Sequence, residues 1–474
     1  MRRPAASGLF LGPGLFVVLL LLPPPEAMPV EAWRTAAMAA WMAVWWITEA
    51  IPIPATALLP IAAFPLLGIM PATEVTRSYA HHLVFLFMGG FMIALTMERW
   101  NLHRRIALHV IRRVGTSPPR LVLGFMLATA LLSMWISNTA TTMLMVTIAM
   151  AVLKQLLPTS RDDLQPMGTA LMLSIAYAAS IGGIATIIGT APNAILVGVL
   201  EQSHGVQMAF GEWMQFALPL ALVMLFLTWL YLTRVAFRLQ TLELPETSEH
   251  IRSEVLALGH MGQAEKRVAV VFLLVAGLWV TRGLVDWPPL NAVRDSTIAM
   301  VGALALFVIP ADWKERVFLL DWPTAVRLPW DIIVLFGGGF ALAAGFSESG
   351  LTVWLAGQLR VLQGIPLIWL ILAVGLLVIF LTELTSNTAT VSLLYPVLGA
   401  LAEAVQIPPA IILVTAAISA SFAFMLPVAT PPNAIVFASH MIHVQQMARA
   451  GLWLNIMGVF LITAFVYLWL PEFR

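Results

Sequence analysis

The sequence predicts an all-α polytopic membrane protein with eleven transmembrane helices and two re-entrant hairpins, arranged as two inverted repeats. Three observations predict this fold class. The composition is too apolar for a soluble domain, two apolar segments are too long for single spans, and short polar motifs recur in both halves of the 474-residue chain.

The composition places the chain in lipid. Hydrophobic residues make up 60% of it and charged residues 10%, with a mean hydropathy of +0.91. Soluble proteins carry about 25% charged residues, and a soluble fold has no means of burying this much apolar surface. A net charge of +1 offers nucleic acid no general attraction. The absence of cysteine excludes disulfides, zinc–thiolate sites and thiol nucleophiles.

Residues 1–30 are interpreted as a first transmembrane span. Two arginines precede an apolar run at 15–22, as in a secretory signal, but no small-x-small cleavage site follows the run. We therefore expect the segment to be retained.

Two segments are predicted to be hairpins. A spanning helix needs about 20 apolar residues, and segments 119–157 and 365–405 are nearly twice that length. Segments 166–200 and 408–440 are also long, and each contains a Gly/Pro interruption. Irregular backbone at membrane depth is tolerated only beside protein or a water-filled cavity, so these breaks indicate a site. The charged stretch 238–266 is interpreted as a linker on the membrane surface.

The two halves of the chain repeat each other. Ser-Asn-Thr-Ala-Thr at 137–141 recurs at 386–390, and Phe-x-Gly-Gly-Phe at 87–91 recurs at 336–340, both at an offset of 249 residues. Two matches at one offset indicate a duplicated membrane unit.

A third motif supports the duplication. Thr-x-Pro-Asn-Ala-Ile occurs at 190–195 and again at 430–435. We therefore predict a first repeat over residues 31–237 and a second over 267–474.

The distribution of lysine and arginine predicts the orientation. With eleven spans and a cytoplasmic amino terminus, 19 of the 25 basic residues face the cytoplasm, as the positive-inside rule requires. This orientation puts hairpin 119–157 and linker 238–266 on the cytoplasmic side, and hairpin 365–405 and the carboxyl terminus outside. The repeats are then inverted.

The paired Ser-Asn-Thr motifs predict a binding site. Polar groups in the middle of an apolar hairpin are costly unless they have partners. At a hairpin tip, the free N–H groups of the second half-helix favour an anion. Hydroxyl, amide and backbone oxygens are suitable ligands for a small hard cation. One tip can thus hold an anion and a cation side by side.

A further hydroxyl precedes each motif. Ser133 and Thr382 lie four residues before Ser137 and Ser386, so each pair shares one helix face. We predict that they are cation ligands, although a hydroxyl bonded to its own i−4 carbonyl is the alternative. The prolines of the two Thr-x-Pro-Asn breaks free carbonyl groups that can also face a cation.

Other polar residues have less specific interpretations. Glu383 either tunes the second cation site or faces the scaffold or solvent. Structural pairing is favoured for Glu49 and Asp331 near span ends, and a position at the membrane interface, rather than a metal site, is favoured for His81-His82. The chain contains no His-Glu-x-x-His or Gly-x-Ser-x-Gly motif, so hydrolase interpretations lack support.

Five motifs together resemble the divalent anion/sodium symporter (DASS) family. They are Trp-Trp-Ile-Thr-Glu-Ala-Ile-Pro at 45–52, Leu-Pro-Trp-Asp-Ile-Ile at 328–333, the two Ser-Asn-Thr motifs, and Leu-Pro-Val-Ala-Thr-Pro-Pro-Asn-Ala at 426–434. The resemblance extends from about residue 30 to 470 of the sequence. It implies eleven spans, two re-entrant hairpins, a homodimer and an elevator-type alternating-access mechanism.

The resemblance also implies a site. One sodium would bind Ser133, Ser137, Asn138 and the Gly189 carbonyl, and the other Thr382, Ser386, Asn387 and the Ala429 carbonyl. Substrate contacts would be Asn138, Thr139, Thr190, Asn387, Thr388, Thr430 and Pro431. The sequence departs from the family pattern at Ala191, which replaces the first proline of a Pro-Pro pair and puts the shape of the first break in doubt.

The function expected is sodium-coupled symport of divalent anions, most readily C4-dicarboxylates such as succinate, malate or fumarate, across the plasma membrane. The partners are sodium ions, the dicarboxylate, the lipid bilayer and a second copy of the chain. The alternatives are a sodium-independent dicarboxylate exchanger, a sulfate or citrate transporter of the same fold, a channel and an intramembrane enzyme. We expect no enzymatic activity.

Overall fold

The computed structural model describes residues 6–156, 161–240, 245–282, 285, 288 and 292–469. The described chain is almost entirely helical, which confirms the all-α polytopic fold class. Its strands are a short antiparallel pair, β1 (Pro310–Asp312) and β2 (Val317–Phe318). The ends of the first and last predicted spans, residue 157 of the first hairpin and residues 241–244 of the linker lie outside the described residues.

The helices of the first half follow the predicted segments, with breaks at 134–137 and 184–190. They are α1 (Ala6–Leu21), α2 (Val30–Thr48), α3 (Ile53–Thr56), α4 (Leu59–Leu66), α5 (Ala72–Tyr79), α6 (His82–Arg99), α7 (Leu102–Val114), α8 (Pro118–Ser133), α9 (Asn138–Leu156), α10 (Arg161–Gly183), α11 (Ala191–His204) and α12 (Phe210–Leu230), which continues as a π-helix over Tyr231–Ala236.

The second half has corresponding breaks at 383–386 and 422–430. Its helices are α13 (Pro245–Ala257), α14 (Gln263–Thr281), α15 (Asp295–Val308), α16 (Trp322–Ala325), α17 (Trp330–Glu348), α18 (Leu351–Leu359) with a 3₁₀ turn at Arg360–Leu362, α19 (Leu367–Thr382), α20 (Asn387–Ala404), α21 (Pro409–Ser421), α22 (Pro431–Phe437) and α23 (Val444–Trp469).

By length and composition, few of the described helices can cross a membrane as single spans. Among the described residues, the helices over Ala72–Arg99, Phe210–Ala236, Trp330–Glu348 and Val444–Trp469 are long and apolar enough to cross a membrane. A fifth is added if α18 and α19, which meet at a bend of 117°, are one broken span. The count of eleven spans therefore stays a prediction.

The two Gly-rich helices, α6 and α17, pack against each other. The rings of Phe87 and Phe336, which occupy equivalent positions in the two repeated motifs, lie edge to face with centroids 4.6 Å apart, and both are buried. Close packing needs the neighbouring glycines: a Cβ on Gly89 would lie 2.7 Å from the Ala299 carbonyl carbon, and one on Gly338 would lie 2.5 Å from the Ala57 oxygen.

The charged linker is more ordered than its composition suggests. It contains α13, which packs against α7 and α9. Arg104 pairs with Glu254 at 2.7 Å, and Arg105 pairs with Glu265 at 2.5 Å. The linker is therefore held against the amphipathic helix α7 by two ion pairs.

Candidate substrate and cation site

The two hairpin tips and the two helix breaks line one cavity of about 580 Å³. It brings together the predicted site residues Ser137, Asn138, Thr139, Gly189, Thr190, Ser386, Asn387, Thr388, Ala429, Thr430 and Pro431. The two remaining predicted residues, Ser133 and Thr382, do not line the cavity. They are fully buried directly behind it.

Ser133 ties the first hairpin tip to the first broken span. Its hydroxyl donates to the Ala179 carbonyl at 2.8 Å and lies 2.5 Å from the side-chain oxygen of Asn138. The alternative considered above, a bond to its own i−4 carbonyl, is not the bond observed. The hydroxyl is therefore held against the motif, as a cation ligand requires.

Thr382 makes the same contacts in the second half. Its hydroxyl donates to the Asn387 side-chain oxygen at 2.6 Å and to the Ala420 carbonyl at 3.1 Å. The two tips thus repeat one hydrogen-bond pattern, although serine stands in one and threonine in the other.

Several oxygens converge at the first tip. The Asn138 side-chain oxygen faces the Gly189 carbonyl at 3.2 Å, the Ala179 carbonyl at 3.2 Å and the Ser133 hydroxyl at 2.5 Å. Facing carbonyl oxygens repel each other unless a donor or a cation lies between them. Rotation of the amide would supply the donor, and a small hard cation would be the other remedy. The oxygen ligands that converge here therefore suit sodium.

Gly183 makes this convergence possible, and the sequence analysis missed it. A Cβ at Gly183 would lie 2.7 Å from the Asn138 side-chain oxygen and 3.2 Å from the Gly189 carbonyl oxygen. The available signal was the Gly-Gly pair at 182–183, which falls shortly before the first break. A glycine is needed here because backbone must approach the motif closely.

The asparagines shared by the two breaks bind the backbone of the loops and do not line the cavity. Asn193 donates to the Thr186 carbonyl at 2.8 Å, and Asn433 donates to the Leu426 carbonyl at 3.0 Å. Both side chains are fully buried. Each therefore clamps the irregular backbone that precedes its helix, which explains why both breaks carry asparagine.

The two breaks end in the same backbone conformation. Thr190 has φ −147° and ψ 146°, and Thr430 has φ −140° and ψ 152°; each is the residue before a helix. Although Ala191 stands where the second break has Pro431, the residue before it has the same conformation in both breaks.

Four helices begin at the cavity, namely α9, α11, α20 and α22. At α9, α11 and α20 the first N–H groups have no partner within the helix and carry partial positive charge, whereas α22 begins with Pro431 and Pro432, which have no N–H. The cavity can therefore receive an anion through backbone N–H groups, amides and hydroxyls.

Glu383 supports the second break. It is 3% exposed, and it accepts hydrogen bonds from the Met425 N–H at 2.9 Å, the Leu426 N–H at 3.1 Å and the Asn455 amide at 2.7 Å. It faces the broken span rather than solvent. It holds the loop that presents the Ala429 carbonyl.

Different groups hold the loop of the first break. The position equivalent to Glu383 is Met134, whose carbonyl accepts from the Thr186 hydroxyl at 2.6 Å. That hydroxyl in turn accepts from the Gly189 N–H at 3.0 Å. A hydroxyl and a carbonyl thus do at the first break what a buried carboxylate does at the second.

Two acidic side chains, Glu49 and Asp331, also line the cavity. The structural pairing expected for them is not found: neither makes an ion pair with another described residue. Among the described lining residues none is lysine or arginine.

Comparison with known proteins gives a full-length match. The model of the family described as "Sodium:sulfate symporter transmembrane region" matches residues 8–472. The "Sodium-dependent dicarboxylate transporter SdcS" of Staphylococcus saprophyticus is 44% identical over 472 residues, covering 98% of this chain and 91% of that protein. The protein of the same name from Staphylococcus aureus matches with the same identity and coverage.

Solved structures share the fold at low identity. The YdaH transporter of Alcanivorax borkumensis matches with a TM-score of 0.59 and 13% identity, over 94% of this chain and 99% of that one. MtrF of Neisseria gonorrhoeae matches with the same score and identity, over 97% of each chain. The full-length family match, with the 44% identity to the two staphylococcal proteins, shows that this chain belongs to the sodium:sulfate symporter family of integral membrane transport proteins, the DASS family that its motifs resemble.

Proposed function

We propose that this protein is a secondary active transporter that couples sodium to the movement of C4-dicarboxylates across the plasma membrane. The observation that carries the proposal is the charge of the cavity. Its described lining offers amides, hydroxyls and helix N-termini, no basic side chain and two carboxylates.

This charge distribution makes co-bound cations necessary. A dianion that leaves water for a site without compensating charge loses several kilocalories per mole of hydration, and two nearby carboxylates add repulsion. Sodium ions at the two tips would offset both terms. Each sodium then raises the affinity for the anion, and the anion raises the affinity for sodium by the same factor.

The sodium ligands proposed are those implied by the family. They are Ser133, Ser137, Asn138 and the Gly189 carbonyl at the first tip, and Thr382, Ser386, Asn387 and the Ala429 carbonyl at the second. The matched bonds of Ser133 to Asn138 and of Thr382 to Asn387 support two sites of one kind.

The substrate is proposed to lie between the tips. Its contacts are Asn138, Thr139, Thr190, Asn387, Thr388, Thr430 and Pro431. A four-carbon dianion can place one carboxylate near each Ser-Asn-Thr motif, whereas a compact dianion such as sulfate cannot. The relatives named as dicarboxylate transporters support this choice, and the family description keeps sulfate as the second candidate.

The architecture proposed has residues 1–30 as the first span, a first repeat at 31–237, a cytoplasmic linker at 238–266 and an inverted second repeat at 267–474. The packing of Phe87 on Phe336 at equivalent positions supports the repeat. Eleven spans, a cytoplasmic amino terminus, an outer carboxyl terminus, a homodimer and elevator-type movement complete the proposal.

The test is uptake of radiolabelled succinate into proteoliposomes under an inward sodium gradient. We expect accumulation that requires sodium, rises sigmoidally with its concentration and is inhibited by malate and fumarate more than by sulfate or citrate. Full-rate uptake without sodium would favour the exchanger instead. Sulfate that outcompetes succinate would replace the dicarboxylate assignment. Movement only down a gradient would indicate a channel.

A further inference from the structure

Two histidines and a glutamate form a separate cluster away from the cavity. His81 and His82 stand at the start of α6, and Glu201 lies near the end of α11. One ligand atom from each lies within 4.8 Å of the other two. None of the three lines the cavity described above.

The cluster contains unsatisfied polar atoms. The Nδ1 atoms of both His81 and His82 are buried and have no hydrogen-bond partner among the described residues. Buried ring nitrogens normally have a partner, and an orphan calls for a water, an ion or a functional role. The two rings lie together, with centroids 4.5 Å apart.

We propose that His81, His82 and Glu201 bind a transition-metal ion of the zinc class. Two imidazoles and a carboxylate are a three-ligand set typical of zinc sites that keep the fourth position for water. The His82 Nε2 is already 2.7 Å from a Glu201 oxygen. Zinc–nitrogen bonds of about 2.0–2.1 Å place tetrahedral ligands roughly 3.3 Å apart, and one ligand atom from each of the three residues lies within 4.8 Å of the other two.

Arg294 orients the carboxylate. Its guanidinium donates at 2.9 Å to the other oxygen of Glu201, the one that does not face His82. One carboxylate oxygen is thus held by Arg294 while the second is directed at the histidines. Metal ligands are commonly fixed by such an outer hydrogen bond.

The cluster is accessible to a metal ion from solution. The side chains of His82 and Glu201 are 28% and 18% exposed, and Arg294 is half exposed. Imidazole ligands select zinc and its neighbours over magnesium and calcium, which prefer oxygen. The chain has no cysteine to compete for the ion.

A bound ion would join α6 to α11. Helix α11 carries Thr190 at its other end, at the cavity. A metal bridge between α6 and α11 would restrain the movement of α11, so we expect the bound ion to slow transport. This consequence rests on the proposed function, whereas metal binding itself does not.

The test is titration of purified, tag-free protein with zinc chloride, followed by competition with a fluorescent zinc chelator. We expect one zinc per chain, no displacement by excess magnesium, and a zinc K-edge absorption spectrum with imidazole scattering. Loss of one outer-shell partner typically costs a metal site about 10–100-fold in affinity. The double variant H81A/H82A, which loses two ligands, should therefore lose at least about 100-fold, and Glu201→Gln should also weaken binding.

The matched control is H440A/H443A, which removes two exposed histidines elsewhere and should leave the affinity unchanged. Thermal melting in zinc-free buffer checks that each variant folds. Equal zinc affinity in H81A/H82A and the unaltered protein would overturn the proposal, as would displacement by magnesium. Zinc should also slow uptake by the unaltered protein and not by H81A/H82A. Absence of any uptake would count against the proposed function and leave the binding result standing.

Discussion

The side-chain amide of Asn138 lies 2.5 Å from the hydroxyl of Ser133 and 3.2 Å from the carbonyl oxygen of Gly189. Asn387 repeats the hydroxyl contact with Thr382 at 2.6 Å. In both halves one amide therefore lines the cavity and also contacts the buried hydroxyl behind it. The predictions that follow depend on this dual position.

Removing either amide should nearly abolish uptake. Asn138→Ala and Asn387→Ala each take away a contact to a cation and one to the substrate. A lost hydrogen bond to a charged group costs about 1.5–3 kcal/mol, or roughly ten- to hundredfold in affinity. Succinate uptake by purified, reconstituted protein measures the effect. The control Asn101→Gly, at a residue with φ 56° outside the cavity, should transport normally. Near-normal uptake in either alanine variant would remove that position from the site.

The buried hydroxyls should affect sodium more than substrate. Ser133→Ala and Thr382→Ala should raise the sodium concentration for half-maximal uptake, because the hydroxyls lie behind the cavity. Their effect on succinate affinity should shrink at saturating sodium. Thr129→Ala is the matched control, since Thr129 has a buried hydroxyl that donates to its own i−4 carbonyl, that of Phe125, at 2.6 Å. If Thr129→Ala raised the half-maximal sodium concentration equally, the loss of sodium affinity in Ser133→Ala and Thr382→Ala would be a structural effect.

Glu383 is predicted to be a positioning residue for the second break. Glu383→Gln replaces one carboxylate oxygen by an NH₂ group, which then faces the N–H donor of either Met425 or Leu426. We expect a higher half-saturating sodium concentration and lower thermal stability, while Glu383→Asp should restore part of the sodium affinity. Glu403→Gln, at a carboxylate 41% exposed, should leave sodium affinity unchanged. An unaltered sodium dependence in Glu383→Gln would limit Glu383 to a role in stability.

Gly183→Ala should disable the first cation site. Its Cβ would lie 2.7 Å from the Asn138 side-chain oxygen, closer than any real contact allows. Sodium-dependent uptake should fall at least about tenfold, since a displaced ligand loses a charged hydrogen bond. The control Gly277→Ala, in α14 with no atom within 4 Å of the new Cβ, should be neutral or stabilising by about 0.5–1 kcal/mol. Normal uptake by Gly183→Ala would argue against a cation at this tip.

The topology can be tested with single cysteines, because the chain has none of its own. Gln240→Cys and Thr73→Cys are both at exposed positions. Membrane-impermeant thiol reagents should label position 240 only from the cytoplasmic side and position 73 only from outside. Labelling of both from one face would contradict the eleven-span arrangement and the inversion of the repeats.

Much of the site was predictable because motif and chemistry coincide. The Ser-Asn-Thr motifs fall where long apolar segments need a break, and the Thr-x-Pro-Asn motifs cannot continue a helix. All the predicted site residues except Ser133 and Thr382 line one cavity. The repetition of the Ser-Asn-Thr motif also agrees with the matching hydroxyl partners of Asn138 and Asn387.

The sequence by itself determined the membrane class, the breaks in the long apolar segments and the polar residues beside those breaks. These are local properties, since hydropathy and helix-breaking chemistry operate over a few residues. Tertiary structure alone decided which residues support the site. Glu383 meets the N–H groups of residues 425 and 426, Gly183 meets Asn138, and Glu201 meets His82. Each pair joins residues from different segments of the chain, and the packing of those segments, which the periodicity of a single segment does not encode, sets the distances.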